Sequence, residues 1–365
     1  MNPLGLVTLG ELEHAGKIRL YRGKVISKKD ISANPGPYPI YSSSVKNNGL
    51  FGRYGFYMLD EELITWSVDG GGNFFYRQKH KFSVTNVCGY LRVTSDDLNT
   101  RYLAYLLQDL HSRLHFDYTL KAHPSVIRGA YRFEVPDISE QVAVASALGD
   151  ADELISSLER LIAKKQAIKQ GMMQQLLTGR TRLPGFDCEW QKSQLGDVLN
   201  VCHGRNQKSV EVSFGSYPIL ATGGTIGWTN TPLYSSPSVL IGRKGTIDRP
   251  QYQDQPFWTV DTLFYTEIHS ELADPRYLYY LFLTVDWRSM NEASGVPSLN
   301  AATIKQVGVE LPSLREQIKI RETLDDAERE IDILELRLAK ARDIKAGMMQ
   351  QLLTGRTRLP VEAES

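Results

Sequence analysis

Clusters of long basic side chains, amides and hydroxyls recur in two parts of the chain. Lys and Arg pair with phosphate oxygens, while Arg, Asn and Gln also form paired hydrogen bonds to guanine or adenine edges. The candidate DNA-binding residues of the first part are Lys24, Lys28, Lys29, Ser43, Ser44, Lys46, Asn47, Arg77 and Lys79. Those of the second part are Arg205, Asn206, Lys208, Thr222, Arg243 and Lys244.

The two sets resemble each other in their order along the chain. Arg205 to Lys208 matches the first basic stretch in position, and Thr222 to Thr225 matches the serine run at 42–44. For any single residue, a solvated loop face is the simpler explanation. The recurrence of whole sets favours a binding function, and we expect each set to converge on one face of its domain.

Motifs that would indicate catalysis are absent from the sequence. It contains no GxxxxGK[ST] phosphate loop, no HExxH, no paired CxxC and no Pro-Pro dipeptide, which excludes the usual amino-methyltransferase tetrapeptide. We therefore expect no catalytic residue and no metal site on this chain. The residue pattern indicates a protein that recognises and holds other molecules and is not a catalyst.

Composition sets the class of protein. The 365 residues are 42% apolar and 23% charged, which is ordinary for two or three globular domains. Three cysteines, no long apolar run and no secretory signal at the N-terminus favour a cytoplasmic protein. The net charge of zero hides an asymmetry, because residues 1–136 carry 17 Lys and Arg against 12 Asp and Glu, while residues 185–312 carry 9 against 13. Only the first of these regions offers a basic surface on average.

The chain is a tandem repeat. Residues 171–184 and 347–360 have the same sequence, GMMQQLLTGRTRLP, and weaker identities at the same offset of 176 extend upstream to Glu134 and Glu310. Upstream of those residues the copies have diverged. We therefore divide the chain into variable segments 1–136 and 185–312 and shared segments 137–184 and 313–365.

Each shared segment is predicted to form a long helix. Asp137 and Ser313 fit N-cap positions with Glu140 and Glu316 three residues on, and glycines at 179 and 355 fit the helix ends. Apolar residues recur every 3.5 positions, which predicts a coiled-coil seam. The seam residues are Leu148, Ile155, Leu158, Ile162, Leu324, Ile331, Leu334 and Leu338. We expect the two helices to pair antiparallel; the alternative is that each helix packs on its own domain.

A methionine pair in each copy could form a docking surface for another protein. Met172, Met173, Met348 and Met349 flank helical glycines, and flexible Met side chains suit protein contacts. They are candidate docking residues for a partner subunit. The alternative is close packing of the helix within the chain.

The sequence resembles the specificity subunits of Type I restriction–modification systems over nearly its whole length. The most specific resemblance is the KxGMMQQLLTGRxRLP-like segment used twice after a heptad helix, at 169–184 and 345–360. Further resemblance lies at 22–27, 38–43, 85–89 and 190–204. The implied fold class is α+β: two target recognition domains with twisted β-sheets, joined and spaced by two long antiparallel helices in a pseudo-two-fold repeat.

The resemblance also implies a function. Each variable segment would read one half of a bipartite, asymmetric target in double-stranded DNA. The shared helices would act as spacer and would dock two methyltransferase (modification) subunits, which two restriction subunits can join. S-adenosylmethionine, ATP and magnesium would bind those partners and not this chain. The alternative is a non-catalytic scaffold whose variable segments bind proteins, which the zero net charge supports.

Overall fold

A computed structural model describes residues 5–44, 46–69, 72–114 and 121–359. Pro360, where the second copy of the repeated GMMQQLLTGRTRLP sequence ends, lies outside this range. The chain divides into two compact units, residues 1–158 with 337–365 (unit 1) and residues 159–336 (unit 2). Each unit therefore combines one variable segment with half of each long helix. The boundaries at 136, 184 and 312 stay a prediction.

Unit 1 begins with a mixed domain of short helices and a sheet. Its helices and strands are α1 (Leu9–His14), β1 (Ile18–Arg22), α2 (Lys28–Ala33), β2 (Tyr38–Tyr41), β3 (Leu50–Tyr54), β4 (Leu59–Ser67), β5 (Phe74–Val84), β6 (Cys88–Val93), α3 (Thr100–Ser112) and α4 (Pro124–Ala130), with a 3-10 turn at Lys46–Gly49. The long helix α5 (Ile138–Leu176) follows. The strands form one six-stranded sheet in the order β1-β6-β4-β5-β2-β3, antiparallel except between β2 and β5.

Unit 2 repeats this plan with a broken sheet. Its helices and strands are β7 (Gln191–Gln194), α6 (Leu195–Val198), β8 (Leu199–His203), β9 (Glu211–Val212), β10 (Tyr217–Ala221), β11 (Gly224–Thr229), β12 (Ser238–Gly242), β13 (Gln251–Gln253), β14 (Trp258–Thr259), β15 (Leu263–Ile268), α7 (Pro275–Phe282), α8 (Ala301–Lys305), β16 (Gly308–Leu311) and α9 (Leu314–Leu352), with a 3-10 turn at Trp287–Met290. The strands form two four-stranded sheets, β14-β10-β11-β9 and β13-β12-β15-β8, and the pair β16-β7.

The difference between the sheets has a local cause. In unit 1, the single long strand β5 pairs with both β4 and β2. In unit 2, the corresponding pairings are made by two short strands, β13 with β12 and β14 with β10. Pro256 lies between those strands and has no N–H to donate, so it interrupts the ladder.

The two long helices pair antiparallel within each unit. In unit 2, Lys165 and Lys169 of α5 contact Glu330 and Glu328 of α9, so the numbering rises on one helix as it falls on the other. In unit 1, Lys345 of α9 contacts Asp152 of α5, and Arg358 beyond α9 lies near Glu140. Together with the α+β domains, this confirms the predicted fold class.

Both long helices span 39 residues, about 58 Å. They end as predicted, because Gly179 and Gly355 adopt φ values of 68° and 67°, a conformation that glycine adopts without strain. The predicted capping box at α9 is incomplete: the Glu316 carboxylate does not return to Ser313 but accepts two hydrogen bonds from Arg182, both at 2.7 Å.

The apolar period of the helices matches their burial. Leu148, Ile162, Leu324 and Ile331 are buried, and Ile155, Leu158, Leu334 and Leu338 are half-buried. Apolar residues out of phase are exposed, such as Leu154 and Leu336. This is the pattern of a packed seam.

The methionine pairs pack on the cores of their own units. Met173 is 4% exposed in the core of unit 2, and Met172 packs against that core. Met348 and Met349 pack against the core of unit 1. These contacts favour close helix packing for Met173, while Met172, Met348 and Met349 are half-buried, and the docking role of the four side chains stays a prediction.

Each domain is attached to its long helix by a repeated glutamine contact. Gln141 of α5 is fully buried, donates to the carbonyls of Asp97 and Pro136, and accepts from the N–H of Asn99. Gln317 of α9 makes the same three contacts in unit 2, with Leu272, Pro312 and Asp274. The helix caps at Asn99 and Asp274, which begin α3 and α7, are thereby tied to the start of a long helix.

Candidate nucleic-acid interface

The basic stretch and the serine run of unit 1 meet at the turn that follows β5. The N–H of Lys24 donates to the carbonyl of Val84 at 3.0 Å, and the N–H of Thr85 donates to that of Tyr41 at 2.9 Å. The Thr85 hydroxyl donates to Ser42 Oγ at 2.9 Å. Gly23 permits this approach, because a Cβ there would lie 2.1 Å from the Val84 oxygen.

The other predicted residues of the first stretch lie on the surface beside it. Lys24, Lys28 and Lys29 are exposed, the last two at the start of α2, where Ser27 and Asp30 form a capping box. No internal ion pair of the described residues uses these three lysines. They are available to phosphates.

The loop after β2 presents polar groups, and hydrogen bonds hold two of its serines. Ser43 accepts from the Ser67 hydroxyl through its carbonyl, and Ser44 Oγ accepts from the N–H of Lys46. Lys46 and Asn47 are exposed, and Asn47 has a φ of 50°, which asparagine tolerates better than most residues. This loop offers an ammonium and an amide side by side.

Arg77 holds that loop from below. Its side chain is only 5% exposed, lies 3.6 Å over the Tyr41 ring, and donates from Nε to the Thr65 hydroxyl and from Nη2 to the Asn48 carbonyl. Burial lowers the pKa of the Arg77 guanidinium to about 10, so it stays charged at neutral pH. The structure thus places Arg77 as a support of the loop and not on the surface with Lys79, which is exposed.

Unit 2 builds the equivalent site around the turn after β14. The N–H of Arg205 donates to the Thr259 carbonyl at 2.8 Å, and that of Arg243 donates to the Thr262 carbonyl at 2.9 Å. Gly204 permits the approach, because a Cβ there would lie 2.0 Å from the Val260 oxygen. Thr222 joins the group through Gln251, whose amide lies 3.4 Å from the Thr222 carbonyl.

The charged groups of this second site are mostly exposed. Arg205, Asn206, Lys208 and Lys244 are exposed, and Asn206 Oδ1 accepts from the N–H of Lys208. Arg243 is half-buried, with Nη1 3.2 Å from the Asp261 carbonyl. Although the segment is acidic on average, these side chains form a local basic cluster.

The two sites share a backbone framework and differ in side chains. Lys24 and Arg205 occupy equivalent positions, since their N–H groups bind carbonyls 175 residues apart. The equivalent of Arg243 is Val68, whose N–H binds the Val87 carbonyl in the same way. Val68 is fully buried, so unit 1 lacks this cation. Two surfaces with different side chains on one framework suit the reading of two different sequences.

Sequence reasoning found the basic stretches but missed the turns that gather them. The echo between 84–86 and 259–261 is weak in residue type. Gly23 and Gly204, each directly before a basic residue, were the sequence signal that could have predicted these turns. Glycine often lies where two backbone segments approach closely.

Two properties of the described residues concern other kinds of site. Within these residues, no group of three or more His, Cys, Asp or Glu could hold a metal ion. No helix in the described part of the chain is long and apolar enough to cross a bilayer.

A sequence model of the family described as "Type I restriction modification DNA specificity domain" matches residues 6–170 and 188–341. The chain belongs to this family. Its two copies of the specificity domain coincide with the two repeats. The resemblance found in the sequence is confirmed, and the scaffold alternative is disfavoured: this specificity subunit provides the DNA specificity of a Type I restriction–modification system.

Individual relatives agree. A Mycoplasma pneumoniae protein named "Putative type I specificity subunit S.MpnORF507P" is 25% identical over 318 residues, which cover 84% of this chain and 85% of the relative. The Mycoplasma pneumoniae "Type I restriction enzyme MpnII specificity subunit" is 29% identical over 140 residues, 38% of this chain and 42% of the relative.

Solved structures share the fold. The S subunit of a Type I restriction–modification system from M. genitalium aligns with a TM-score of 0.70 at 17% identity, covering 96% of this chain and 97% of that one. A chain from a study of complex assembly and conformational transition of the type I R-M system aligns with a TM-score of 0.56 at 14% identity, covering 96% and 98%.

Proposed function

We propose that this specificity subunit reads a bipartite, asymmetric DNA target. The surface around Lys24 in unit 1 would contact one half of the target, and the surface around Arg205 in unit 2 would contact the other half. The observation that carries the proposal is the pair of turns at 84–87 and 259–262, which gather different basic side chains on one backbone framework. Two identical sites would suit a palindrome; two divergent sites suit two different half-sites. The chain itself performs no catalytic step.

We further propose two methyltransferase subunits as its partners, with restriction subunits able to join them. S-adenosylmethionine, ATP and magnesium belong to those partners. A partner that binds in two copies needs the same surface at two places on the chain. The exposed residues of the repeated GMMQQLLTGRTRLP segment provide such a repeated surface. The likeness in fold to a chain from the complex-assembly study supports this proposal by analogy alone.

A methylome comparison tests the proposal directly. DNA would be sequenced from cells that carry the modification subunit, with and without this chain. We expect one split, adenine-methylated motif that disappears when the chain is deleted. Identical methylation in both strains, while the modification subunit is shown to be active and to co-purify with this chain, would contradict the proposal.

Two helical glycines mark where the partner would lie. Gly171 of α5 and Gly347 of α9 are exposed, and an added Cβ would meet nothing within 4 Å at either site. Each costs its helix about 1 kcal/mol relative to alanine. No contact among the described residues accounts for that cost, whereas a partner backbone in close approach would.

Gly171→Ala and Gly347→Ala are therefore both expected to stabilise the folded chain and to weaken its assembly with the partner. Each should raise the unfolding free energy of the isolated chain by about 1 kcal/mol, and together they should weaken binding of the methyltransferase subunit. Gly129→Ala in α4 is the matched control, since that site is also exposed, helical and open. Unchanged subunit affinity in the double variant, measured by calorimetry, would move the docking surface elsewhere.

A further inference from the structure

A tyrosine, a carboxylate and a lysine from three different helices meet in unit 1. The hydroxyl of Tyr105 in α3 donates to Asp152 Oδ2 of α5 at 2.5 Å. Nζ of Lys345 in α9 donates to the other oxygen, Oδ1, at 2.6 Å, and lies 5.3 Å from the Tyr105 ring centre. The domain helix α3 is thereby joined to both long helices at one point.

Unit 2 contains the same cluster. The hydroxyl of Tyr280 in α7 lies 2.6 Å from Glu328 Oε2 of α9, and Nζ of Lys169 in α5 lies 3.0 Å from Glu328 Oε1. Lys169 is also 5.6 Å from the Tyr280 ring centre. The two tyrosines are 175 residues apart, and the acids and the lysines 176 apart, so the cluster occupies equivalent positions of the repeat.

One helical turn before each tyrosine lies an arginine, and the contacts that hold this arginine differ between the two units. Arg101 lies against Gly149 of α5, where a Cβ would be 2.3 Å from its guanidinium carbon. Arg276 instead pairs with Asp325 and Glu328 of α9. Asp325 occupies the repeat position of Gly149, so two different residues accommodate the same arginine. In both units, the arginine contacts the same long helix that carries the acid of the cluster.

The electrostatics of the clusters keep both tyrosines as hydrogen-bond donors and Glu328 as an acceptor; the Tyr280 hydroxyl also lies 2.7 Å from Asp325 Oδ1. Burial, together with the neighbouring carboxylates, raises the pKa of Tyr105 and of Tyr280, so both hydroxyls remain protonated donors. Burial alone would raise the pKa of Glu328, but hydrogen bonds from Tyr280 and Lys169 hold it below the ordinary value. Glu328 therefore stays ionised and able to accept from both.

The lysines occupy positions of the apolar seam. Lys169 follows Ile162 by one heptad, and Lys345 follows Leu338 by one heptad. A seam of Leu and Ile alone would pack almost as well after a slip of seven residues. A polar residue in the seam specifies register, because its partner is present at one level only.

We infer that the clusters Tyr105–Asp152–Lys345 and Tyr280–Glu328–Lys169 are positioning residues that fix each domain helix at one level of the paired long helices, and so set the number of base pairs between the two half-sites. The inference rests on the proposed reading of a bipartite target. It assigns the gap length of the target to six side chains that lie where the domain helices meet the long helices.

The test measures gap preference in the reconstituted complex of the full chain with methyltransferase subunits. Methylation rates would be compared on duplexes that carry the native gap and gaps one base pair shorter or longer. For Tyr105→Phe, Tyr280→Phe, Lys169→Met and Lys345→Met, we expect the preference for the native gap to fall about tenfold, since a hydrogen bond to a charged group contributes a factor of roughly that size.

Lys165→Met is the matched control. Lys165 pairs with Glu330 across the same two helices at 2.6 Å, but the pair is more exposed and neither residue forms a bond to α7. The Lys165→Met variant loses the same charge as the two lysine variants above. We expect its gap preference to equal that of the wild type. The tyrosine variants keep the ring and lose one hydroxyl, so they remain informative where a lysine variant fails to fold.

Outcomes separate the inference from the proposed function. If variants lower the melting temperature and slow methylation equally at every gap, the clusters are only structural and the inference is overturned. If the wild-type complex prefers one gap and all four variants keep that preference, the inference fails while the bipartite reading stands. If the wild-type complex methylates no split target, the proposed function fails and the inference with it.

Discussion

Insertion of one heptad into each long helix should widen the gap of the DNA target by about three base pairs. Seven residues add about 10.5 Å of helix, and base pairs are stacked at about 3.4 Å. The insertions belong between 158 and 159 in α5 and between 336 and 337 in α9, where one compact unit ends and the other begins. A whole heptad keeps the seam residues in phase, so the coil should still form.

The expected result is loss of methylation at the native target and its appearance at a wider one. Three base pairs also turn the duplex by about 100°, so we expect a reduced rate at the new target. Three heptads, about nine base pairs, come close to a full turn and should restore the rate. Methylome sequencing would report each gap. An unchanged gap in a folded, active variant would refute the idea that the helices act as a ruler.

Substitution of Arg77 by Met should cost about 3 kcal/mol of stability and impair the reading of one half-site. The guanidinium is buried and satisfies the Thr65 hydroxyl and the Asn48 carbonyl, and an unsatisfied buried polar group costs roughly 1–3 kcal/mol. The loop that carries Lys46 and Asn47 would lose its support. Denaturant unfolding measures the first effect, and methylation of targets altered in one half at a time measures the second.

Lys79→Ala is the matched control for this prediction. Lys79 lies two residues along the same strand, is exposed, and should leave stability unchanged within about 0.5 kcal/mol. If it contacts a phosphate, its loss should weaken binding to all sequences alike and reduce the salt slope by about one. If the Arg77→Met variant is as stable as the wild type but binds DNA weakly, Arg77 contacts DNA directly, as the sequence first suggested, and does not act as a support of the loop.

Local and periodic signals were readable from the sequence. The identity of 171–184 with 347–360 established a tandem repeat, the 3.5-residue period predicted a coiled-coil seam, and Gly179 and Gly355 marked the helix ends. Each of these signals depends on residues close together in the chain, because a helix is defined by contacts three and four positions apart. The family resemblance rested on the same local segments.

Contacts between distant residues were decided only by the tertiary structure. Arg77 and Lys79 look alike in sequence, but one is buried under a loop and the other faces solvent. Glu316 has the spacing of a capping box, yet Arg182, 134 residues earlier, uses its carboxylate. Lys345 meets Asp152 across 193 residues. A single sequence does not encode such pairings in any local pattern, because side-chain burial and partner choice depend on which distant elements the folded chain brings together.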